Sequence, residues 1–260
     1  MKETIYTIPV TEAFSVDCEC PVCLLEKRLE DEYINYFLGP SLMEPDHRAG
    51  TNKEGFCKRH LSLLYQSQEN RLGLGLMLDT HMVQQLGEVK KMYNSKSSAI
   101  KTDAGASFIK SVSGKLSAKT TETEKFVNEM VKFLDKLEVS CSICNQLDHT
   151  MDRYMDVILY LWHKEEDFRK LFNSKKGFCL KHMKEMLTAT GKYLNGKEAA
   201  AFVDNLMEIQ LPQLERLQQE VNWFTLKFDY RNTDAPWGNS KDSLPRAIQK
   251  LTGCFDLDRN

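Results

Sequence analysis

The sequence predicts an all-α protein: a duplicated, metal-stapled helical unit whose long helices pack as a bundle, followed by an irregular C-terminal strap. Three observations predict this. Apolar residues recur at spacings of three and four through most of the chain. Sustained period-two alternation is missing, apart from a hint at 5–10. A pair of short cysteine motifs occurs twice, each time with the same kind of flanks.

The bulk composition sets the frame. The chain has 260 residues, 42% hydrophobic and 28% charged, which is enough apolar matter for a real core and argues against wholesale disorder. Thirty-five basic residues against 37 acidic ones leave no basic surplus of the kind nucleic-acid binding uses. The first residues lack the apolar run of a signal peptide, and no window reaches the roughly 18 apolar residues of a membrane span. A cytoplasmic, reducing location is therefore expected. There, eight cysteines point to metal or thiol-redox chemistry rather than to a disulfide framework.

The repeat is read directly. Cys20-Pro21-Val22-Cys23 is followed by Gly55-Phe56-Cys57-Lys58-Arg59-His60, and Cys141-Ser142-Ile143-Cys144 by Gly177-Phe178-Cys179-Leu180-Lys181-His182. The offset is 121 residues from Cys20 to Cys141 and 122 from Cys57 to Cys179. After each Cys-x-x-Cys a helix is expected, with Leu25, Leu29, Tyr33 and Phe37 on one face in the first copy and Leu147, Met151, Met155 and Leu159 in the second. Each Cys-x-x-His opens a further helix, at 61–66 and 183–187, and a longer one follows in both copies.

The remaining elements follow in order. In Asn70-Arg71-Leu72-Gly73-Leu74-Gly75-Leu76 two glycines sit inside a helix at about 1 kcal/mol each, which close helix packing or a ligand would explain. Residues 95–120, rich in Ser, Lys, Ala and Thr, read as a flexible linker. Helices resume at Thr121 with the stripe Phe126, Met130, Phe133, Leu134 and Leu137. The longest helix, over 197–228, carries Phe202, Leu206, Ile209, Leu214, Leu217, Val221, Phe224 and Phe228, with a kink expected at Pro212. The tail around Tyr230, Arg231, Asp234, Trp237 and Lys241 reads as a strap pinned by Trp237, ahead of a short helix capped by Ser243. The domain layout is then 1–94 for the first repeat, 95–120 for the linker, 121–231 for the second repeat, and 232–260 for the strap and short helix.

Three thiolates and one imidazole are a tetrahedral zinc set. The sequence reading pairs Cys20 and Cys23 with Cys57 and His60, and Cys141 and Cys144 with Cys179 and His182, giving two zinc ions per chain. An iron–sulfur cluster on the same ligands is the alternative, because soft iron sites use them too. Ligands at helix starts are stabilised as thiolates, which serves metal binding and redox reactivity alike. Cys18, Cys254, His47, His81, His149 and His163 have no repeated partner and are read as ordinary, as is the acidic helix start Glu165, Glu166 and Asp167. No catalytic constellation is visible.

With these motifs in view, the chain resembles an uncharacterised family of cytosolic proteins from anaerobic bacteria, catalogued as a domain of unknown function. The likeness runs nearly full length. It rests on Ile5-Tyr6-Thr7-Ile8-Pro9-Val10, Cys20-Pro21-Val22-Cys23, Gly55-Phe56-Cys57, Asn70-Arg71-Leu72-Gly73, Gly177-Phe178-Cys179 and Phe228-Asp229-Tyr230-Arg231. The resemblance implies the architecture and carries no catalytic residue. The expected function is a zinc-stapled scaffold that binds a protein or small molecule between its halves, with no nucleic-acid or membrane partner. The alternative is an iron–sulfur or thiol-redox protein using the same cysteines.

Overall fold

Apolar periodicity is realised as helix throughout. The computed structural model describes residues 4–113 and 121–253, with side chains for 5–103 and 121–253. Among them are eleven α-helices, three short 3-10 turns and no strand. Helices α1 (Thr4–Ser15), α2 (Pro21–Leu38), α3 (Pro45–Glu54), α4 (Lys58–Ser67) and α5 (Arg71–Ser113) form one series. Helices α6 (Glu122–Val139), α7 (Ser142–Lys164), α8 (Glu166–Asn173), α9 (Leu180–Tyr193) and α10 (Gly196–Leu226) form a second, and α11 (Ser243–Thr252) ends the chain. The two series match helix for helix: a cysteine pair opens α2 and α7, a Cys-x-x-His opens α4 and α9, and α5 and α10 are the long members.

Local chemistry sets the boundaries. Thr121 and Asn195 each form a reciprocal capping box with the glutamate three residues on, Glu124 and Glu198. Asn70 caps α5 by accepting from Gly73 N–H at 2.8 Å and donates to Leu38 O at 2.7 Å. Gly73 itself is a packing glycine, since a Cβ there would lie 2.5 Å from Leu42. Gly75 has open space.

Several expectations are corrected. Residues 5–10 belong to α1, because Val10, Ala13 and Phe14, spaced three and four apart, are its buried face. The segment 95–113 continues α5 as helix, held against α6 by Tyr93 on Phe126 (6.2 Å between rings), Lys96 to Glu122 (3.2 Å) and Asp103 to Thr123. Helix α10 is helical on both sides of Pro212, where the kink is expected; its seam buries Phe202, Leu206, Gln210 and Leu217, while Phe228, expected on that seam, lies exposed beyond its end. The cap of α11 is Asp242, one residue ahead of Ser243.

The chain divides into two compact units, Met1–Asp31 with Leu147–Asn260, and Glu32–Gln146. The first unit is built on an aromatic cluster in which Phe14, Phe168, Phe172, Phe178 and Phe202 meet with ring centroids 5.0–6.1 Å apart. Its strap is pinned by Trp237 on Phe224, and by Lys227, whose ammonium donates to the carbonyls of Asn232, Thr233 and Ala235. The second unit buries Ile34, Phe37, Leu38, Leu63, Leu64, Leu74 and Met77 together with Cys141 and Ile143.

Candidate metal centres

Each cysteine-bearing motif stands where a helix begins. Cys57 and Cys179 are the N-caps of α4 and α9, and Cys20 and Cys141 directly precede α2 and α7. Unsatisfied N–H groups and the positive helix end favour ionised sulfur there. Cys144 N–H reaches Cys141 Sγ at 3.4 Å, and His182 N–H reaches Cys179 Sγ at 3.4 Å.

All eight predicted ligands are brought into two groups of four, but not in the predicted pairing. Cys20 and Cys23 join Cys179 and His182 in the first unit, and Cys57 and His60 join Cys141 and Cys144 in the second. The physical reason lies in helix length. Cys20 and Cys23 stand at the start of α2, and Phe37 and Leu38 at its far end pack beside Phe56 and Cys57. Eighteen helical residues carry the chain about 27 Å along the axis. Helix α2 begins at its cysteine pair in the first unit and ends in the second, and α7 begins at its pair in the second unit and continues in the first, so each pair groups with the Cys-x-x-His motif that shares its unit.

The spacing suits a single ion. His182 Nδ1 lies 3.1, 3.4 and 3.6 Å from the sulfurs of Cys179, Cys23 and Cys20, and Cys23 and Cys179 are 3.5 Å apart. His60 Nδ1 lies 3.2, 3.3 and 3.3 Å from Cys141, Cys57 and Cys144, and Cys57 and Cys144 are 3.8 Å apart. Metal–sulfur bonds near 2.3 Å and metal–nitrogen bonds near 2.0 Å give a tetrahedron with edges of about 3.8 Å between sulfurs and about 3.5 Å from sulfur to nitrogen. Both groups match that figure with slight contraction. A disulfide, at about 2.05 Å, is not formed. Each group can hold a metal ion through three sulfurs and Nδ1.

The electrostatics prepare both groups for a cation. Burial opposes protonation of His182, but hydrogen bonding to Cys179, Cys20 and Glu26 outweighs it and pushes the imidazole up to about 12. Hydrogen bonds from Cys20 and Cys23 hold the Cys179 thiol far below its ordinary value. At the other centre burial raises the Cys141 thiol, yet His60 and nearby backbone N–H groups bring it down to about 6. Burial and the Cys141 charge push Cys144 up. An arriving ion would displace such protons and keep the thiolates.

A surrounding layer holds the ligands, and periodicity did not reveal it. His182 Nε2 faces Glu26 at 3.2 Å, which fixes Nδ1 as the ligating nitrogen. Gln210, fully buried on α10, accepts from Phe178 N–H at 2.8 Å and donates to Phe178 O at 2.9 Å. Lys250, 1% exposed, donates to Glu19 O and Lys176 O, both at 2.7 Å, joining the peptides ahead of Cys20 and Cys179. Glu19 also binds Arg216 at 2.7 and 2.8 Å and Arg246 at 3.2 Å. In the second unit Glu54 accepts from Ser142 Oγ and Asn145 Nδ2, and Ser142 N–H donates to Gly55 O. The sequence signal for Gln210 was a polar residue on the face of Phe202, Leu206 and Leu217; Lys250 shares its face with Ser243 and Arg246 and had no such signal.

The remaining candidates stay outside both groups. His81 Nδ1 lies 2.8 Å from Asn52 O and packs on Gly55, His163 pairs with Glu198 at 3.0 Å, and His47 with Glu44 at 3.3 Å. Cys18 is half-buried, and burial raises its thiol. Cys254 lies outside the described residues. Glu165 caps α8, with Glu166 and Asp167 in its first turn. A cleft of about 360 Å³ opens beside the first centre, floored by Met151 and Met155 and rimmed by Glu26, Lys181, Glu185 and Lys192. No described helix is long and apolar enough to cross a membrane.

No curated protein and no solved structure matches the chain. A family model does match, over residues 1–258. With its paired cysteine motifs inside that match, the chain belongs to a family of unknown function, DUF6062.

Proposed function

We propose that the protein is a zinc-binding helical scaffold in which two structural Cys3His sites staple chain segments that are distant in sequence, and that its task is to bind a protein or small molecule. The observation that carries this is the pair of four-ligand groups at single-ion spacing. Four protein ligands complete a tetrahedron and leave no open position for substrate, which favours a structural over a catalytic ion. The same spacing speaks against a multi-iron cluster. Such a cluster seats each thiolate on a different iron and spreads the ligands wider than these groups, whose ligand atoms all lie within 4.8 Å of one another. In the first unit, the cleft beside Glu26 is the place to seek a small ligand.

Metal analysis with a visible spectrum tests the reading. Near two zinc per chain and no colour are expected; iron with sulfide and visible absorption would overturn it. Paired substitutions test the grouping. Cys20→Ser with Cys179→Ser should lose one ion, and Cys20→Ser with Cys57→Ser should lose both. The reverse result would restore pairing within each copy.

A second reading has one observation in its favour. Cys57 and Cys144 are only half-buried, whereas the ligands of the first centre are all buried. Thiol-redox chemistry would therefore belong to the second centre, where thiols titratable in the metal-loaded protein would show it.

A further inference from the structure

Helix α6 has more apolar surface than its main described neighbour, α5, covers. Phe126, Met130, Phe133 and Leu137, each half-buried, are spaced four, three and four apart and face α5. Beside them Val127, Val131 and Leu134 form a second stripe at the same spacing, 47–49% exposed, and no residue of α6 is buried. Helix α5 carries a matching row of Met82, Leu86, Val89 and Tyr93, again four, three and four apart. The pairs Tyr93–Phe126 and Lys96–Glu122 fix α5 and α6 as antiparallel neighbours. Turning each helix by about 100° per residue from those contacts puts both spare rows on the same side of the hairpin. A helix with two adjacent heptad rows is built for neighbours on two sides, as in a four-helix bundle.

We infer that this face pairs with the same face of a second copy, so that two α5–α6 hairpins close a four-helix bundle and the protein is a two-fold dimer. The area is sufficient. Six side chains (Met82, Leu86, Tyr93, Val127, Val131 and Leu134), 46–68% exposed, leave roughly 500 Å² of apolar surface per chain at about 150–200 Å² per fully bare side chain. Two copies would bury about 1,000 Å² from the stripe alone, which reaches the lower bound for a specific interface before flanking residues are added. The charge pattern also fits self-association. No Lys, Arg, Asp or Glu falls between the first and last residue of either row; Glu124 and Glu138 continue the α6 row at its two ends and Lys90 borders the α5 row beside Leu86, so charge sits at the rim of the face and not at its centre.

Sedimentation equilibrium on the full-length, metal-loaded chain across the micromolar range tests this. Twice the chain mass is expected. The double variant Val131→Glu, Leu134→Glu, at exposed positions, should weaken association about a hundredfold while helicity and metal content stay unchanged. Lys91→Glu, exposed and about 140–180° around α5 from each residue of its row, should leave the dimer intact. A chain that is monomeric at every concentration overturns the proposal and leaves the stripe to a different protein. A dimer that ignores the double variant overturns it as well, because association would then use another surface.

Discussion

Replacing Lys250 by methionine isolates the charged pin behind the first centre. Its ammonium is buried and donates to two peptide carbonyls at 2.7 Å, with Glu19 Oε2 at 3.2 Å. Removing one partner of a buried charge pair costs about 3–5 kcal/mol when the other is left alone. Here Glu19 keeps Arg216 and Arg246, so the carboxylate is not stranded and the low end applies. The loss that remains is that of two carbonyls without donors, at about 1–3 kcal/mol each. A net destabilisation of about 3 kcal/mol follows, or roughly 6–9 °C in melting temperature for a chain of this size. Thermal unfolding of the metal-loaded protein measures it, with Lys241→Met, an exposed lysine, as control. Because Lys250 joins the peptides ahead of Cys20 and Cys179, metal release from the first centre should also quicken by about tenfold for each 1.4 kcal/mol felt there. An unchanged melting temperature with unchanged release would refute the reasoning, for it would mean that the two carbonyls are satisfied without the lysine.

The same logic yields further expectations. Gln210→Leu removes both partners of Phe178 and should cost about 2–4 kcal/mol in urea unfolding, since a buried N–H and C=O are orphaned together. Gly55→Ala adds a Cβ 2.6 Å from the His81 ring at a backbone angle φ of +64°, so a loss of about 1–3 kcal/mol is expected. Metal analysis should show that loss at the second centre alone, because the first centre lies in the other unit. A chelator should strip the two centres in two phases, the half-buried Cys57 and Cys144 going first. Cys141→Ser should abolish the fast phase and leave the slow one, and a single phase in the parent protein would show that the centres are equivalent.

How much of this was legible beforehand divides along physical lines. Of the predicted faces, Leu25, Leu29 and Phe37 and the whole set Leu147, Met151, Met155 and Leu159 are buried and Tyr33 is half-buried, because burial of a helix stripe is a local consequence of spacing. The eight candidate ligands were legible as candidates for a similar reason, since residue type and short spacing alone mark them. Which four come together was not. Two equal motifs offer two equal pairings in one dimension, and the choice depends on where 18 residues of α2 deliver the chain. The extension of α5 through 95–113 was hidden by composition: Ser, Lys and Thr look like linker, and the contacts that hold Lys96 and Asp103 come from α6, 26 and 20 residues away. Lys250 and Gln210 were hidden because a polar residue on a helix gives no sign of its backbone partners.

The exchange of partners changes what the metal does for the fold. Cys23 and Cys57 are 34 positions apart, so pairing within a copy would staple a local loop. The observed groups instead join Cys23 to Cys179 across 156 positions and Cys57 to Cys144 across 87. Closing those loops costs about 1 kcal/mol more in chain entropy per site, a small penalty against the binding free energy of a structural zinc ion. In return each ion, once bound, would tie the start of one series of helices to the other series. A finger closed on itself could lose its ion and unravel alone. Here, loss of a bound ion would release a contact between segments far apart in the chain, so metal content and the folding of a whole unit should rise and fall together.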